Sequence, residues 1–306
     1  MNMKTKRLLI AGLLIATGGL GVSAQTKPTV SNDEDTKLIA LNGLRDMEPS
    51  VALPQIEKLL ASNASLNLKK RALSVLEDID SAAARTTLGK IARGQSNPEL
   101  QMEAIRQLGN SGEADALVTL SEIYSGSSSV ELKKSILREF ANADDKKHVL
   151  ELAKNEKDPA LRGEAVRQLG NMDARDSLSQ LYGTETSVEV KAQILRALGN
   201  CDAEDQLGQI LQNENSPELR LAAVRALGNI DTERATAVLS AQYDKEKNSA
   251  VRQGILRSFA NQDNAKALIA VARKETDTEL RKFAVQQLSN MDSKEATAYL
   301  MEILNK

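Results

Sequence analysis

Apolar residues recur along this chain with a long period. Taking the first apolar residue of each predicted helix as an anchor gives Leu68, Leu100, Leu132, Leu161, Val190, Leu219, Val251 and Leu280, in steps of 32, 32, 29, 29, 29, 32 and 29 residues. Positions four, five and eight after each anchor are also apolar, the eighth being Leu76, Leu108, Phe140, Leu169, Leu198, Leu227, Phe259 and Leu288. At about 100° per residue these positions share one arc of an α-helix, the arc that must be buried. A partial further copy lies upstream, with Ala40 and Leu44 in step with Ala72 and Leu76. Self-similarity at such a period marks a repeat architecture, not a single globular core.

The polar positions supply the punctuation. Three residues before the anchors stand Ser65, Asn97, Ser129, Asp158, Ser187, Ser216, Asn248 and Asp277. All are residue types whose side chain accepts a hydrogen bond from a free N–H of the first helical turn. Pro98, Pro159 and Pro217 follow where a missing N–H does no harm, and Glu99, Glu131, Glu189, Glu218 and Glu279 suit the positive end of the helix dipole. Gly109, Gly170, Gly199 and Gly228 read as helix ends, after which Asp80, Asp144, Asp173, Asp202, Asp231, Asp263 and Asp292 are expected to cap a second helix. That second helix is apolar at helical spacing, as in DQLGQILQ (205–212) and AKALIAVARK (265–274). Each unit is therefore a helix pair of about 30 residues that needs neighbours on both sides to bury its apolar face.

Small and large residues alternate four positions after the anchor: Ala104, Ile136, Ala165, Ile194, Ala223, Ile255 and Ala284. Such alternation lets successive layers interdigitate. A gapless shift of 119 residues aligns 96–173 on 215–292, so the array reads as a duplication of blocks of repeats.

The phrase PELRLAAVRALGNID (217–231) resembles the bacterial HEAT-like repeat, in the short version also found in phycobilisome lyases, and the likeness runs over roughly residues 36–304. The resemblance implies an all-α fold, a right-handed α-solenoid of about eight to nine helix-pair repeats, with the capped helix of each pair lining the concave side. It also implies that a basic residue just after the anchor pairs with an Asp of the turns. Lys69, Lys133, Arg162, Lys191, Arg220, Arg252 and Arg281 match this pattern as structural struts, while Gln101 departs from it.

The N-terminus changes the setting. In MNMKTKRLLIAGLLIATGGLGVSAQ, the cations Lys4, Lys6 and Arg7 precede an uncharged apolar run from Leu8 to Val22 and a small-residue site, Val22-Ser23-Ala24. This is the layout of a secretory signal peptide over 1–24, with the mature chain starting at Gln25. The run is shorter than the roughly 20 residues a spanning helix needs, so no stable membrane span is expected after cleavage. No Cys follows the run to carry a lipid. Residues 25–35, QTKPTVSNDED, are polar without a period and read as a flexible lead-in to a solenoid over 36–306. The protein is expected to be exported, to the periplasm or beyond.

Removing the three leader cations from 40 basic residues leaves 37 against 42 acidic ones, a net charge of −5. That balance argues against nucleic acid or anionic membrane surfaces as generic partners. Cys201 is the single cysteine, so no intramolecular disulfide can form. With no Trp and aromatics at 2% of the chain, the ring platforms of a sugar-binding module are missing.

The sharpest candidate for a binding surface is a ladder six residues after the anchor: Arg106, Arg138, Arg167, Arg196, Arg225 and Arg257, with Ser74 and Gln286 in the end copies. At about 240° round the helix these side chains point away from the apolar arc and stack along one surface. Guanidinium groups there suit carboxylates or phosphates, unless neighbours such as Glu103 and Glu164, three residues earlier, neutralise them. A second ladder, Asn110, Asn142, Asn171, Asn200, Asn229, Asn261 and Asn290, with Asp78 in the first copy, is expected to satisfy backbone groups at the helix ends, the alternative being that it presents amides to an extended peptide. The Asn-x-Asp pairs, such as Asn171 with Asp173, lack the dense oxygen-ligand loop of a calcium site. Cys201 falls in a slot held elsewhere by Ile79, Met172, Ile230 and Met291, and reads as filler.

His148 has no His or Cys partner and reads as a surface residue, while Tyr124, Tyr182 and Tyr243 read as half-buried packing. Phe283 falls on the exposed arc of the last capped helix. No nucleotide, metalloprotease or nucleophile-elbow motif is present in a supporting context, and no cofactor is implied. The reading is a non-catalytic exported scaffold that binds another protein, through an acidic or extended segment, on its concave Arg/Asn face. Two rivals are an enzyme or enzyme subunit and a binder of anionic glycans or lipids. Nothing in the sequence speaks to oligomeric state.

Overall fold

The structure, a computed structural model, describes residues 30–305. The leader over 1–24 and the start of the lead-in lie outside the described residues. Among those described there is no β-strand, and no helix is long and apolar enough to cross a membrane.

Eighteen α-helices follow one another as nine pairs. The first helices are α1 (Val30–Asn42), α3 (Leu66–Asp78), α5 (Gln101–Ser111), α7 (Val130–Asn142), α9 (Pro159–Asn171), α11 (Val188–Asn200), α13 (Pro217–Gly228), α15 (Ser249–Asn261) and α17 (Thr278–Ser289). The second helices are α2 (Pro49–Leu60), α4 (Ala82–Ala92), α6 (Ala114–Gly126), α8 (Lys146–Asn155), α10 (Arg175–Thr184), α12 (Glu204–Asn213), α14 (Glu233–Lys245), α16 (Ala265–Lys274) and α18 (Lys294–Leu304). Neighbouring first helices pack on one another along the whole row, and from α3 onward each also packs on its own second helix, so the chain is an all-α solenoid.

Every anchor is buried, as are the residues four and eight positions on, including the alternating Ala and Ile row from Ala104 to Ala284. The upstream copy is real but altered. A short 3₁₀ helix, Gly43–Asp46, interrupts it, and Leu41 is buried where Ala40 is exposed. Helix α1 also begins at Val30, inside the stretch read as an unpatterned lead-in. Its acids have uses there: Glu34 accepts hydrogen bonds from Ser65 Oγ (2.5 Å) and Asn67 Nδ2 (3.4 Å).

Seven of the eight residues placed before the first helices cap them through their side chains, and Asn97 does not. Asn97 is left-handed (φ 46°), and Pro98–Leu100 forms a 3₁₀ turn before α5. Asn97 Oδ1 instead accepts from Lys69 Nζ at 3.4 Å.

The aspartates between the helices do not cap the second helix. Asp144, Asp173, Asp202 and Asp263 have φ of 53°, 51°, 49° and 50°. The residue after each donates its N–H five positions back: Asp145 to Phe140 O, Ala174 to Leu169 O, Ala203 to Leu198 O and Asn264 to Phe259 O, at 2.8–3.1 Å. This is the left-handed ending usual for Gly, which Asp tolerates because its short side chain can bond locally. Asp80, Asp231 and Asp292 precede Ser81, Thr232 and Ser293, whose hydroxyls are the actual caps of α4, α14 and α18.

The glycines lie in the last turn of the first helices, Gly228 as the final residue of α13, and they also serve close packing. A Cβ on Gly170 would lie 3.0 Å from Ala197 Cβ, and one on Gly199 would lie 3.1 Å from Ala226 Cβ. Position nine of one copy therefore faces position seven of the next, and small residues there draw adjacent first helices together.

Lys69 lies 3.8 Å from Glu99, and four other struts pair with glutamates five residues before the next anchor. Arg162 Nε donates to Glu185 (2.9 Å), Arg220 Nε to Glu246 (3.0 Å), Arg252 to Glu275 (2.6 Å) and Lys133 to Glu156 (3.2 Å). In alternate copies a buried tyrosine joins in. Tyr124 donates to Glu156 (2.8 Å) and Tyr182 to Glu214 (2.5 Å), while Tyr243 donates to Glu275. Lys133, Lys191 and Arg252 lie over the three rings at 4.7, 4.8 and 4.4 Å from the centroids.

Burial pushes these carboxyls upward, but it is outweighed. Bonds from Tyr, Lys or Arg and from backbone N–H groups hold Glu156, Glu185, Glu214, Glu246 and Glu275 below the usual glutamate value. Gln101, the one non-basic residue in the strut row, donates to Ala92 O at 3.0 Å instead.

Candidate binding face of the first helices

All six ladder arginines are exposed on the face formed by the first helices. Their surroundings divide them. Arg106 is paired with Glu103, and Arg167 with Glu164, whose Oε2 it meets through Nε at 3.1 Å. Arg138 Nε lies 3.7 Å from the same Glu164. Burial works to raise the Glu164 carboxyl, yet bonds from Arg167 and Gln168 hold it low. Between Arg106 and Arg138 sits a third carboxylate, Glu139, 6% exposed and packed on Gly109. Burial raises its pKa, only partly offset by the Asn142 amide (3.0 Å) and the two arginines.

Further along, the acids leave the face. The positions corresponding to Glu139 are Ala197 and Ala226, and those corresponding to Glu164 are Gln193 and Ala222. Arg196 and Arg225 have no ion-pair partner among the described residues. Arg257 lies over the ring of Phe283, 5.1 Å from its centroid. That ring is partly buried, so Phe283 is less exposed than its position on the arc implies.

Two adjoining depressions run along this stretch. One, of about 360 Å³, is lined by Lys134, Ala160, Gly163, Glu164, Arg167, Gln193, Arg196, Ala197 and Asn200. The next, of about 320 Å³, is lined by Ala192, Arg196, Gly199, Asn200, Glu218, Ala222, Arg225, Ala226 and Asn229. Arg196 and Asn200 belong to both. The floor is thus Gly and Ala, and the rim is guanidinium and amide. Glu218, in the first turn of α13, is the one acid of the second depression.

The asparagine ladder shares the face and does not satisfy the turns. Asn110, Asn142 and Asn171 donate to Gln107 (3.5 Å), Glu139 (3.0 Å) and Gln168 (3.2 Å), all at position seven of their own helix. Where that position is Ala, Asn200 and Asn229 are exposed without a side-chain partner among the described residues.

Of the other candidates, Cys201 is buried and donates to Gly170 O at 3.3 Å. Burial, then the neighbouring Asp173, pushes its thiol up to about 11, away from a reactive thiolate. His148 is less open than its sequence position implied. It stacks on Phe140 with ring centroids 4.9 Å apart, and its Nδ1 lies 2.5 Å from Asp145. The tyrosines are buried outright, Tyr243 to 2% exposure, and carry a specific hydroxyl bond that periodicity did not reveal. Among the described residues no three His, Cys, Asp or Glu side chains gather to hold a metal ion.

The family profile of the HEAT repeats matches residues 53–139 and 177–260. No curated protein matches the chain. Among solved structures, human deoxyhypusine hydroxylase in complex with glycerol is 15% identical, with 89% of this chain aligned to 92% of that one at a TM-score of 0.28. The complex of CpcE and CpcF of phycocyanin lyase from Nostoc sp. PCC7120 is 16% identical, with 80% aligned to 95% at 0.34. Neither likeness speaks to the chemistry of this chain.

Proposed function

Because the chain belongs to the family of HEAT repeats, we propose that it is a non-catalytic scaffold that holds another protein on its first-helix face. The observation that carries this reading is the pair Arg196 and Arg225, exposed and free of carboxylate partners above a floor of Gly199, Ala197 and Ala226. Guanidinium forks favour carboxylates, and small residues beneath them leave room for a chain to lie down. An acidic, extended segment of a partner fits that chemistry. The basic–apolar–small order of residues 1–24 supports export, so the partner is sought in the periplasm or outside the cell.

Cross-linking in intact cells followed by mass spectrometry tests the reading. Arg196→Glu with Arg225→Glu should remove the cross-linked partner while leaving helicity and thermal unfolding unchanged, and Arg106→Ala should leave the partner in place. A partner retained by the double variant would sink the assignment of this face. Co-sedimentation with phosphatidylglycerol vesicles, lost in the double variant and with no protein cross-linked, would favour a lipid binder instead.

A further inference from the structure

We propose that the last helix pair of one molecule receives the first helix pair of a second copy, so that the solenoid continues head to tail. Three contact rules recur between neighbouring first helices in the interior. Lys69, one residue after its anchor, lies 3.8 Å from Glu99, one residue before the next anchor. Position two lies against position three of the following copy, as Gly163 against Gln193 and Leu221 against Gly254. Position nine lies against position seven, with Gly170 on Ala197, Gly199 on Ala226 and Gly228 on Ser258.

The two outer edges of the row carry the matching halves. On α17, the edge that a following copy would meet holds Arg281, Lys282 and Ser289 at positions one, two and nine, all exposed. On α1, counted from Thr36, 32 residues before Leu68, the opposite edge holds Asp35, Ile39 and Gly43. They stand one residue before that point and three and seven after it. All three are exposed, Ile39 at 73%, and a Cβ on Gly43 would meet nothing within 4 Å.

Joining the edges by the interior rules sets Arg281 of one copy against Asp35 of the next. Neither has an ion-pair partner among the described residues. Ser289 meets Gly43, small on small as inside the array. Ile39 comes to lie on the Lys282 stem and Val285, in a depression of about 570 Å³ that Tyr299 and Ile303 also line.

Exposed apolar surface is concentrated at the same two places. Of the eleven large apolar residues exposed among those described, six belong to the two outer pairs: Ile39, Met47, Val51, Met301, Ile303 and Leu304. A terminal repeat stays soluble alone by virtue of a polar outer face, and these pairs show apolar residues instead. The α1 edge is acidic and the α17 edge basic, so each suits the other better than itself. Contact between unlike surfaces grows into a filament unless its rotation closes a ring.

Disulfide trapping with the purified chain tests this, because Cys201 is buried and leaves the background silent. Gly43→Cys and Ser289→Cys chains, mixed and oxidised with copper phenanthroline, should give a mixed dimer, and neither alone should dimerise. In sedimentation velocity, Arg281→Asp should weaken self-association about tenfold or more, since it sets like charges together. Arg281→Asp with Asp35→Arg in one chain should restore it, with circular dichroism unchanged throughout. A chain that stays monomeric over its soluble concentration range would overturn the proposal. So would either cysteine chain dimerising with itself, or self-association that Arg281→Asp leaves untouched.

Discussion

The two halves of the solenoid put their carboxylates in different places. In the copies carried by α5, α7 and α9, Glu103 and Glu164 pair with Arg106, Arg138 and Arg167, and Glu139 is buried beside them. From α8 onward the acids move to the junctions between pairs, where Glu156, Glu185, Glu214, Glu246 and Glu275 serve as struts. The equivalent junction positions earlier in the chain are Gln95 and Ser127. One ladder of arginines thus gives a closed face in one half and an open one in the other. A conserved-looking row of side chains does not define a site until its neighbours are counted.

The largest effect expected from this division is on acid stability. The strut glutamates titrate below their ordinary value of 4.5 when folded. Their contribution is complete above that value and is lost as pH falls through the lower folded values. Glu77 and Glu139 are shifted upward, chiefly by burial, so their ionised forms cost stability and protonation relieves it. Acid should therefore loosen the strutted half first. Limited digestion with pepsin should cut within 156–275 before 82–126, and the reverse order would break the comparison.

A smaller effect is expected from opening the closed half. Glu103→Gln with Glu164→Gln frees Arg106 and Arg167 of their pairs. Because exposed ion pairs are worth about 0.2–1 kcal/mol, affinity for an acidic peptide long enough to reach them should rise about two- to fivefold. Isothermal titration at low salt measures it, and no gain would mean that the acids do not set the difference between the halves. The smallest effect is at Glu139. Glu139→Gln places there the residue already found at the matching Gln107 and Gln168. Its thermal unfolding should rise at neutral pH and match the parent chain in acid, where Glu139 is protonated anyway.

Much of this fold was legible because helix packing repeats what periodicity records. The anchors, the rows four and eight residues on, and the caps Ser65, Ser129, Asp158, Ser187, Ser216, Asn248 and Asp277 follow from residue type and spacing alone. The exposure of the six arginines followed from the same geometry. What escaped depends on contacts between copies. That Arg138 reaches Glu164 requires knowing how closely α7 and α9 approach, which is settled only in three dimensions. The strut glutamates recur five residues before the anchors, a signal present in the sequence but indistinguishable there from a polar helix end. The turn aspartates read as caps because Asp serves equally as a cap and as a left-handed stop, and backbone φ alone separates the two.

The hydrogen bonds that tie one pair to the next have a kinetic consequence. One of them, from Gln262 Nε2 to Leu227 O, spans 35 residues. Such bonds join neighbouring pairs and do not wait for distant parts of the chain to meet. Folding can therefore start at any pair and spread outward in both directions, on the fast side of what proteins of this size achieve. Pulled from its ends, the same chain should give way one pair at a time, as a series of small yields and not one break.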